Sequence, residues 1–291
     1  MPNPAALCLD GLTDIGNRRQ NNEDAWWAGQ LGGASHSMES GPAPLQVRLA
    51  EAAALLIVSD GVGGANAGEV ASQMAIGQIS AELTRQAGAL HDRATILPAI
   101  KTAMDAANRA ITLKAAEPGF DGMGATLSLV CFSHDAHAYW GQAGDSRIYL
   151  FRRGRLRQIS HDHSPVGRMR QGGKLTEAEA RSHPLRNQID QSLGDPNAVF
   201  APDTGAEPFH AGDVFLLCSD GLSDGLWDHE IEAVLGRLHT ADDVRPTVTA
   251  LVTQAKSSSG RDNITAVLAL IETGPPATPA TTGRWRRWLG L

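Results

Sequence analysis

Two tripeptides stand out for the chemistry they could do. Ser59-Asp60-Gly61 and Ser219-Asp220-Gly221 each follow a continuous apolar run, at 53–58 and 214–218, the second within a strand read over 213–218. A carboxylate there leaves the buried part of a strand, and the glycine behind it lets backbone approach closely. Asp24 and Asp262 border further strand-like segments, and Asp145 follows Gly144 at another strand end. Gathering five carboxylates is costly unless cations neutralise them. Hard divalent ions such as Mg²⁺ and Mn²⁺ take oxygen ligands of this kind. Each motif alone reads first as a turn, and spacing by itself does not bring the five together.

The elements that must position these residues can be read in order. Residues 7–15 read as a first strand, and 25–28 begin a second. Residues 32–44 are rich in Gly, Ser and Pro and read as a loop. Weak alternation at 45–49 and the apolar run at 53–58 read as strands, the latter buried on both faces. Asn66 with Glu69 suggests a capping box opening a helix. Val70, Met74, Ile79 and Leu83 fall near one face of it. A second helix is predicted over 95–114 from Leu97, Ile100, Met104, Ala107 and Ile111. Residues 125–132 and 137–141 are strand-like, and 147–152 with 155–159 suggest a hairpin. The segment 161–196 is polar, with three His, several Arg and one short helix expected near 176–181. A buried strand, a helix over 242–255 and a last strand over 264–271 follow. This order is α+β, with antiparallel sheets and helices packed outside.

Composition narrows the field. The 291 residues carry 25 Lys plus Arg against 32 Asp plus Glu, a formal charge of −7. That balance gives no broad attraction to nucleic acid. No apolar stretch approaches the roughly 18 residues of a membrane span. The first ten residues lack the basic and apolar regions of a secretory signal. Three widely spaced cysteines, Cys8, Cys131 and Cys218, suit buried thiols in a reducing compartment, so a cytoplasmic protein is expected. After a Pro/Thr/Ala linker at 274–283 comes Arg284-Trp285-Arg286-Arg287-Trp288-Leu289. Such a basic, Trp-bearing segment suits a membrane surface or a partner, yet at this length it anchors poorly. A frayed or packed tail is the expectation.

Taken together, six motifs carry a resemblance. Thr13-Asp14-Ile15-Gly16 with Arg19-Gln20-Asn21-Asn22-Glu23-Asp24 comes first, then Ser59-Asp60-Gly61-Val62-Gly63-Gly64. Gly122-Met123-Gly124-Ala125-Thr126 and Gly144-Asp145-Ser146-Arg147 follow. Ser219-Asp220-Gly221-Leu222 and Arg261-Asp262-Asn263-Ile264-Thr265 complete the set. In this order they resemble the PPM (type 2C) family of metal-dependent Ser/Thr protein phosphatases in its bacterial form, over residues 7–271.

The resemblance implies a four-layer αββα sandwich of two antiparallel sheets flanked by helices. The domain would span 1–272 with a flap at about 161–196, leaving 273–291 as linker and tail. It further implies two Mn²⁺ or Mg²⁺ ions bridged by Asp60, with the Gly61 carbonyl, Asp24, Asp220 and Asp262 completing their site. Glu23 would act through bound water. Asp145 with Asp220 would hold a third ion, and Arg19 would bind substrate phosphate. Hydroxide generated between the ions would attack phosphorus in line, with no phosphoenzyme. Arg19 and Asp60 are therefore the catalytic residues implied. Val62 stands where some relatives have His, which leaves metal-held water as the proton source. His161 and His163 are expected to shape the start of the flap, and Arg147 to orient neighbouring carboxylates. Flap arginines Arg168, Arg170 and Arg186 are open to either substrate contact or solvent. The implied partners are phosphorylated proteins, among them a Ser/Thr kinase and its targets, met by a monomer. The alternatives are an inactive binding module on the same fold, against which the retained Asp24, Asp60, Asp220 and Asp262 argue, and a small-molecule phosphatase.

Overall fold

The computed structural model describes residues 6–37, 41–63 and 67–272. Asn66, Gly64, the linker and the Trp-bearing tail lie outside the described residues. In chain order the strands and helices begin with β1 (Ala6–Asp14), β2 (Asp24–Gln30), β3 (Ser35–Ser37), β4 (Leu45–Arg48), β5 (Ala54–Val62), α1 (Ala67–Arg85) and α2 (Arg93–Ala115). Next come β6 (Gly124–Ala125), β7 (Leu127–Phe132), β8 (His137–Ala143), β9 (Arg147–Arg152) and β10 (Arg155–Gln158). Then follow α3 (Pro165–Gln171), α4 (Glu177–Ser182), β11 (Asp203–Pro208) and β12 (Val214–Cys218). The chain continues through α5 (Asp220–Gly225), α6 (Asp228–Leu235), α7 (Val244–Ser258) and β13 (Ile264–Glu272).

The strands form two sheets, ordered β10-β9-β12-β13-β1-β4 and β11-β8-β7-β5-β2-β3, with β6 added to the end of β5. Every pairing is antiparallel. The continuous apolar runs follow from burial on both faces, since successive side chains point to opposite sides. In β5, Ala54, Leu56 and Val58 pack between the sheets, while Leu55 and Ile57 pack against α1 and α2. In β13, Val267, Ala269 and Ile271 point inward, while Ala266, Leu268 and Leu270 meet α6 and α7. Three apolar layers between four layers of secondary structure give the αββα sandwich expected. No helix among the described residues is long and apolar enough to cross a membrane.

Several expectations are corrected. The strand ending in the first tripeptide runs on through Val62, because β6 pairs with Gly61 and Val62. The second helix starts two residues early: Asp92 accepts from Thr95 N at 3.1 Å and Thr95 Oγ1 accepts from Asp92 N at 3.2 Å, so Thr95 lies inside a reciprocal cap. The buried stripe of α1 turns toward Ala71, Ala75, Ile79 and Leu83, with Val70 and Met74 only partly covered. Alanines there let the helix lie close to its sheet. The flap has two helices, not one: Ser164 caps α3 by accepting from Gly167 N at 2.9 Å. Strand β3 lies in the segment that reads as loop, and β11 in a stretch to which the sequence assigns no element; both lack apolar alternation.

Candidate metal centre

Both sheets deliver carboxylates to one end of the sandwich. On the seven-stranded sheet, Asp24 and Asp60 are directly opposite partners on β2 and β5. Like charges in that relation repel. From the six-stranded sheet, Asp220 follows β12 and Asp262 precedes β13. Asp145 lies in the link by which the chain passes from β8 in one sheet to β9 in the other. Asp60, Asp145, Asp220 and Asp262, with Glu23 and the Gly61 backbone, line a cleft of about 630 Å³. Asp24 is buried behind them.

The electrostatic cost is evident in the acids themselves. Burial, then the carboxylates of Asp24, Asp220, Asp145 and Asp262, hold the Asp60 carboxyl well above its ordinary range. Burial, then Asp145, does the same to Asp220. Asp145 is pushed up to about 6 by burial and by Asp162. Asp24 is also pushed up to about 6 by burial, against the pull of two hydroxyl donors. Burial raises Glu23 as well.

The Asp24 donors are Ser219 Oγ and Thr265 Oγ1, each 2.7 Å from Oδ2. Its Oδ1 is buried with no hydrogen-bond partner, and so is Oδ1 of Asp220. Unpaired buried carboxylate oxygens in a like-charged cluster fit a hard divalent cation. Among the described residues no three acidic, His or Cys side chains close around a single point. The donor set therefore suits an ion that keeps part of its water, as Mg²⁺ and Mn²⁺ do among oxygen ligands.

The glycines show why the tripeptides end as they do. A Cβ on Gly61 would lie 1.9 Å from the Gly68 carbonyl oxygen, and one on Gly221 would lie 2.0 Å from that of Asn263. What each glycine lets close in is another stretch of backbone. Residues to which the sequence pattern gives no role hold this arrangement. Thr126 Oγ1 accepts from Asp60 N at 2.9 Å, and Thr126 N donates to the Asp60 carbonyl at 2.8 Å. Asn263 Oδ1 accepts from Glu23 N at 2.8 Å, and its Nδ2 donates to the carbonyls of Ile15 and Asn21 at 3.1 and 3.0 Å. Asn263, Ser219 and Thr265 stand within three residues of an acid in their motifs, which is the signal that could have found them, whereas Thr126 closes a glycine-rich motif that holds no acid.

Arg19 comes to the cleft as expected, half-exposed, with Nη2 at 2.7 Å from Asp262 and Nη1 at 3.6 Å from Glu23. Arg147 orients a neighbouring carboxylate, but one outside the cluster. It grips Asp162 at the start of the flap through Nε and Nη2 and donates to the Tyr149 hydroxyl at 3.1 Å. Of the flap arginines, only Arg186 lines the cleft, paired with Asp224 at 3.2 Å. Arg168 and Arg170 are held by Asp190 and Asp228. His163 does shape the flap's start: its N–H donates to the Gly144 carbonyl at 2.9 Å, and Nε2 lies 3.2 Å from Asp203. His161 stands farther out, 3.7 Å from the same carboxylate.

Comparison with known proteins places the chain. The profile of the family described as Protein phosphatase 2C matches residues 43–269. The serine/threonine phosphatase stp of Listeria monocytogenes is 32% identical over 257 residues, spanning 88% of this chain and 92% of that protein. The structure of the S. agalactiae serine/threonine phosphatase superposes with a TM-score of 0.75 at 32% identity, covering 91% of this chain and 100% of that one. The catalytic domain of PstP, solved with two manganese ions, gives a TM-score of 0.71 at 31% identity, covering 92% of this chain and 99% of that one.

Proposed function

Since the chain belongs to the protein phosphatase 2C family of metal-dependent protein-serine/threonine phosphatases, we propose that its carboxylate cluster holds two Mn²⁺ or Mg²⁺ ions and that the cleft in front of them hydrolyses phosphoserine and phosphothreonine in proteins. The observation that carries this is the pair of buried, unpartnered oxygens of Asp24 and Asp220 within a ring of repelling acids. Asp60, the Gly61 carbonyl, Asp24, Asp220 and Asp262 would hold the two ions. Glu23 would reach them through water, and Asp145 with Asp220 would take a third. When bound, such ions lower the pKa of water between them and provide hydroxide near neutral pH.

The chain's own residues then have definite tasks. Asp60 sits at the centre of the cluster and fixes where the nucleophile is generated. Arg19 presents a planar fork beside Asp262 and grips the non-bridging phosphate oxygens, a match of shape as well as charge. Its long, half-exposed side chain can swing from Asp262 to the phosphate as substrate enters. Displacement at phosphorus is in line, without a covalent phosphoenzyme. Among the described residues lining the cleft there is no His, Lys, Cys or Tyr. With Val62 beside the cleft, the leaving alkoxide takes its proton from water of the site.

In the cell this enzyme would reverse the action of a bacterial Ser/Thr kinase, on the kinase itself and on its targets. The thiols of Cys8, Cys131 and Cys218, buried and unpaired, support a cytoplasmic setting. One assay tests the whole reading: hydrolysis of p-nitrophenyl phosphate and of a phosphothreonine peptide, with and without Mn²⁺, by the wild type and Asp60→Ala. Metal-dependent turnover of both, lost in the variant, is expected. A rate indifferent to Mn²⁺ and to Asp60 would refute it, and turnover of p-nitrophenyl phosphate alone would point to small-molecule substrates.

A further inference from the structure

A second groove, of about 590 Å³, opens beside the cleft, and its lining is mainly apolar. Its walls are Leu113 and Ala116 near the end of α2, Met123 and Gly124, and Pro196 at the end of the flap. The two depressions share Val62, Ser192 and Asp195, so they are continuous. Val62 lies two residues beyond Asp60 on the same strand, hence on the same face.

This groove is built, not incidental. Leu193 exchanges backbone hydrogen bonds with Ala125 at 2.8 and 3.1 Å. Gly194 N donates to Asn108 Oδ1 on α2 at 2.8 Å. Gly194 has φ +90°, and a Cβ there would meet Ile111 at 2.5 Å, so the loop is pressed onto α2. These contacts fix the groove's spacing before any ligand arrives. Leu113 stands on its rim 73% exposed, and Val199 on the following loop is 85% exposed. They are the two most exposed large apolar side chains among the described residues, and neither serves the core. Of the two, Leu113 lines the groove, and an exposed apolar side chain on the rim of an apolar groove beside a cleft marks a binding surface.

From this we infer that the groove is a specificity subsite: it receives an apolar side chain flanking the phosphorylated Ser or Thr of the substrate. The inference rests on the proposed phosphatase reading. Continuity with the cleft identifies the occupant, because a residue flanking a phosphate held at Asp60 has the groove within reach at Val62, two residues along the strand. A preformed apolar subsite discriminates by roughly 10-fold or more between a large apolar side chain and none.

The test compares kcat/KM for matched phosphothreonine peptides. Leu, Gly or Glu is placed at each of the two positions on either side of the phosphothreonine. The enzymes are wild type, Leu113→Asp and Leu113→Lys, with p-nitrophenyl phosphate as a substrate that has no flanks. For the wild type, Leu should exceed Gly about 10-fold at one position. Leu113→Asp should bring that ratio to within about twofold while p-nitrophenyl phosphate turnover stays unchanged. Leu113→Lys should favour the Glu peptide, a gain that no folding defect produces. Equal rates for all flanks, or a Leu preference that survives both substitutions, would overturn the subsite. So would a concentration-dependent dimer abolished by Leu113→Asp in sedimentation, which would give the groove to a second copy of the chain. Absence of metal-dependent p-nitrophenyl phosphate turnover would instead refute the underlying phosphatase reading.

Discussion

The same tripeptide, Ser-Asp-Gly, is used twice and folds two ways. Around Asp60 it stays extended, within β5, and Thr126 clasps it from both sides of the peptide. Around Asp220 it leaves β12 and becomes the first turn of α5. The serines differ as well. Ser59 Oγ donates to the Thr126 carbonyl at 2.7 Å and so braces backbone. Ser219 Oγ donates to the Asp24 carboxylate and so braces the charged cluster itself. Only the glycines agree, each pressed against a carbonyl oxygen. The shared pattern therefore encodes a crossing of two backbones beside an acid, not a secondary structure.

The sharpest break of the comparison should come at Asp60. Asp60→Asn is expected to lower Mn²⁺-dependent kcat/KM by about 10³-fold or more, on the order of removing a principal source of transition-state stabilisation. Steady-state hydrolysis of p-nitrophenyl phosphate at saturating Mn²⁺ checks it. Next come the glycines, which should behave alike. Gly61→Ala and Gly221→Ala each drive a methyl group to within 2.0 Å of a carbonyl oxygen. Each should cost about 3 kcal/mol, the upper end of overpacking, measured by urea denaturation. The serines should then separate the two sites. Ser219→Ala removes a donor from Asp24 and should weaken Mn²⁺ binding about 10-fold, the low end for a partner of a metal ligand. Ser59→Ala should leave Mn²⁺ affinity within about twofold while costing about 1 kcal/mol of stability. Titration of Mn²⁺ by calorimetry reads both.

The smallest effect is a pH trend in thermal stability. Asp24 and Asp145 are pushed up to about 6, and Asp60 and Asp220 well above the ordinary range. Each therefore binds its proton more tightly folded than unfolded. For Asp24 and Asp145 the stabilisation this gives is complete below the unfolded pKa of about 4 and is lost as pH rises through about 6, and Asp60 and Asp220 add a loss in the same direction. Chelated protein should lose Tm between pH 5 and 7.5 on this account. Mn²⁺ should restore more at pH 7.5 than at pH 5, by about 5 °C. Differential scanning calorimetry at the two pH values, with and without chelator, measures the difference.

Much of this was legible in the chain. Strands buried on both faces betray themselves as unbroken apolar runs, so β5, β7, β12 and β13 could be read closely. The acids and glycines sit in short motifs that survive translation into structure. What could not be read depends on tertiary partners. Strand β11 carries Asp-Thr-Gly-Ala-Glu-Pro and exists because β8 offers it an edge. That Arg147 serves Asp162 and not the clustered acids turns on where the flap begins in space, which no local spacing reports. The extension of β5 through Val62 depends on a two-residue partner, Gly124 and Ala125, more than 60 positions away, and nothing near Val62 announces it.

The carboxylates come from both sheets, and the tie between Ser219 or Thr265 and Asp24 crosses from one sheet to the other. Thr265 and Asp24 are 241 positions apart in the chain. Contacts of that separation form late, after the entropy of closing a very long loop has been met. A refolding intermediate with either sheet complete but the two not yet docked would have its helices and most of its hydrogen bonds, and still no catalytic centre. Recovery of phosphatase activity would therefore report that the two sheets have docked. An assay begun as chemistry doubles as a clock for sheet docking.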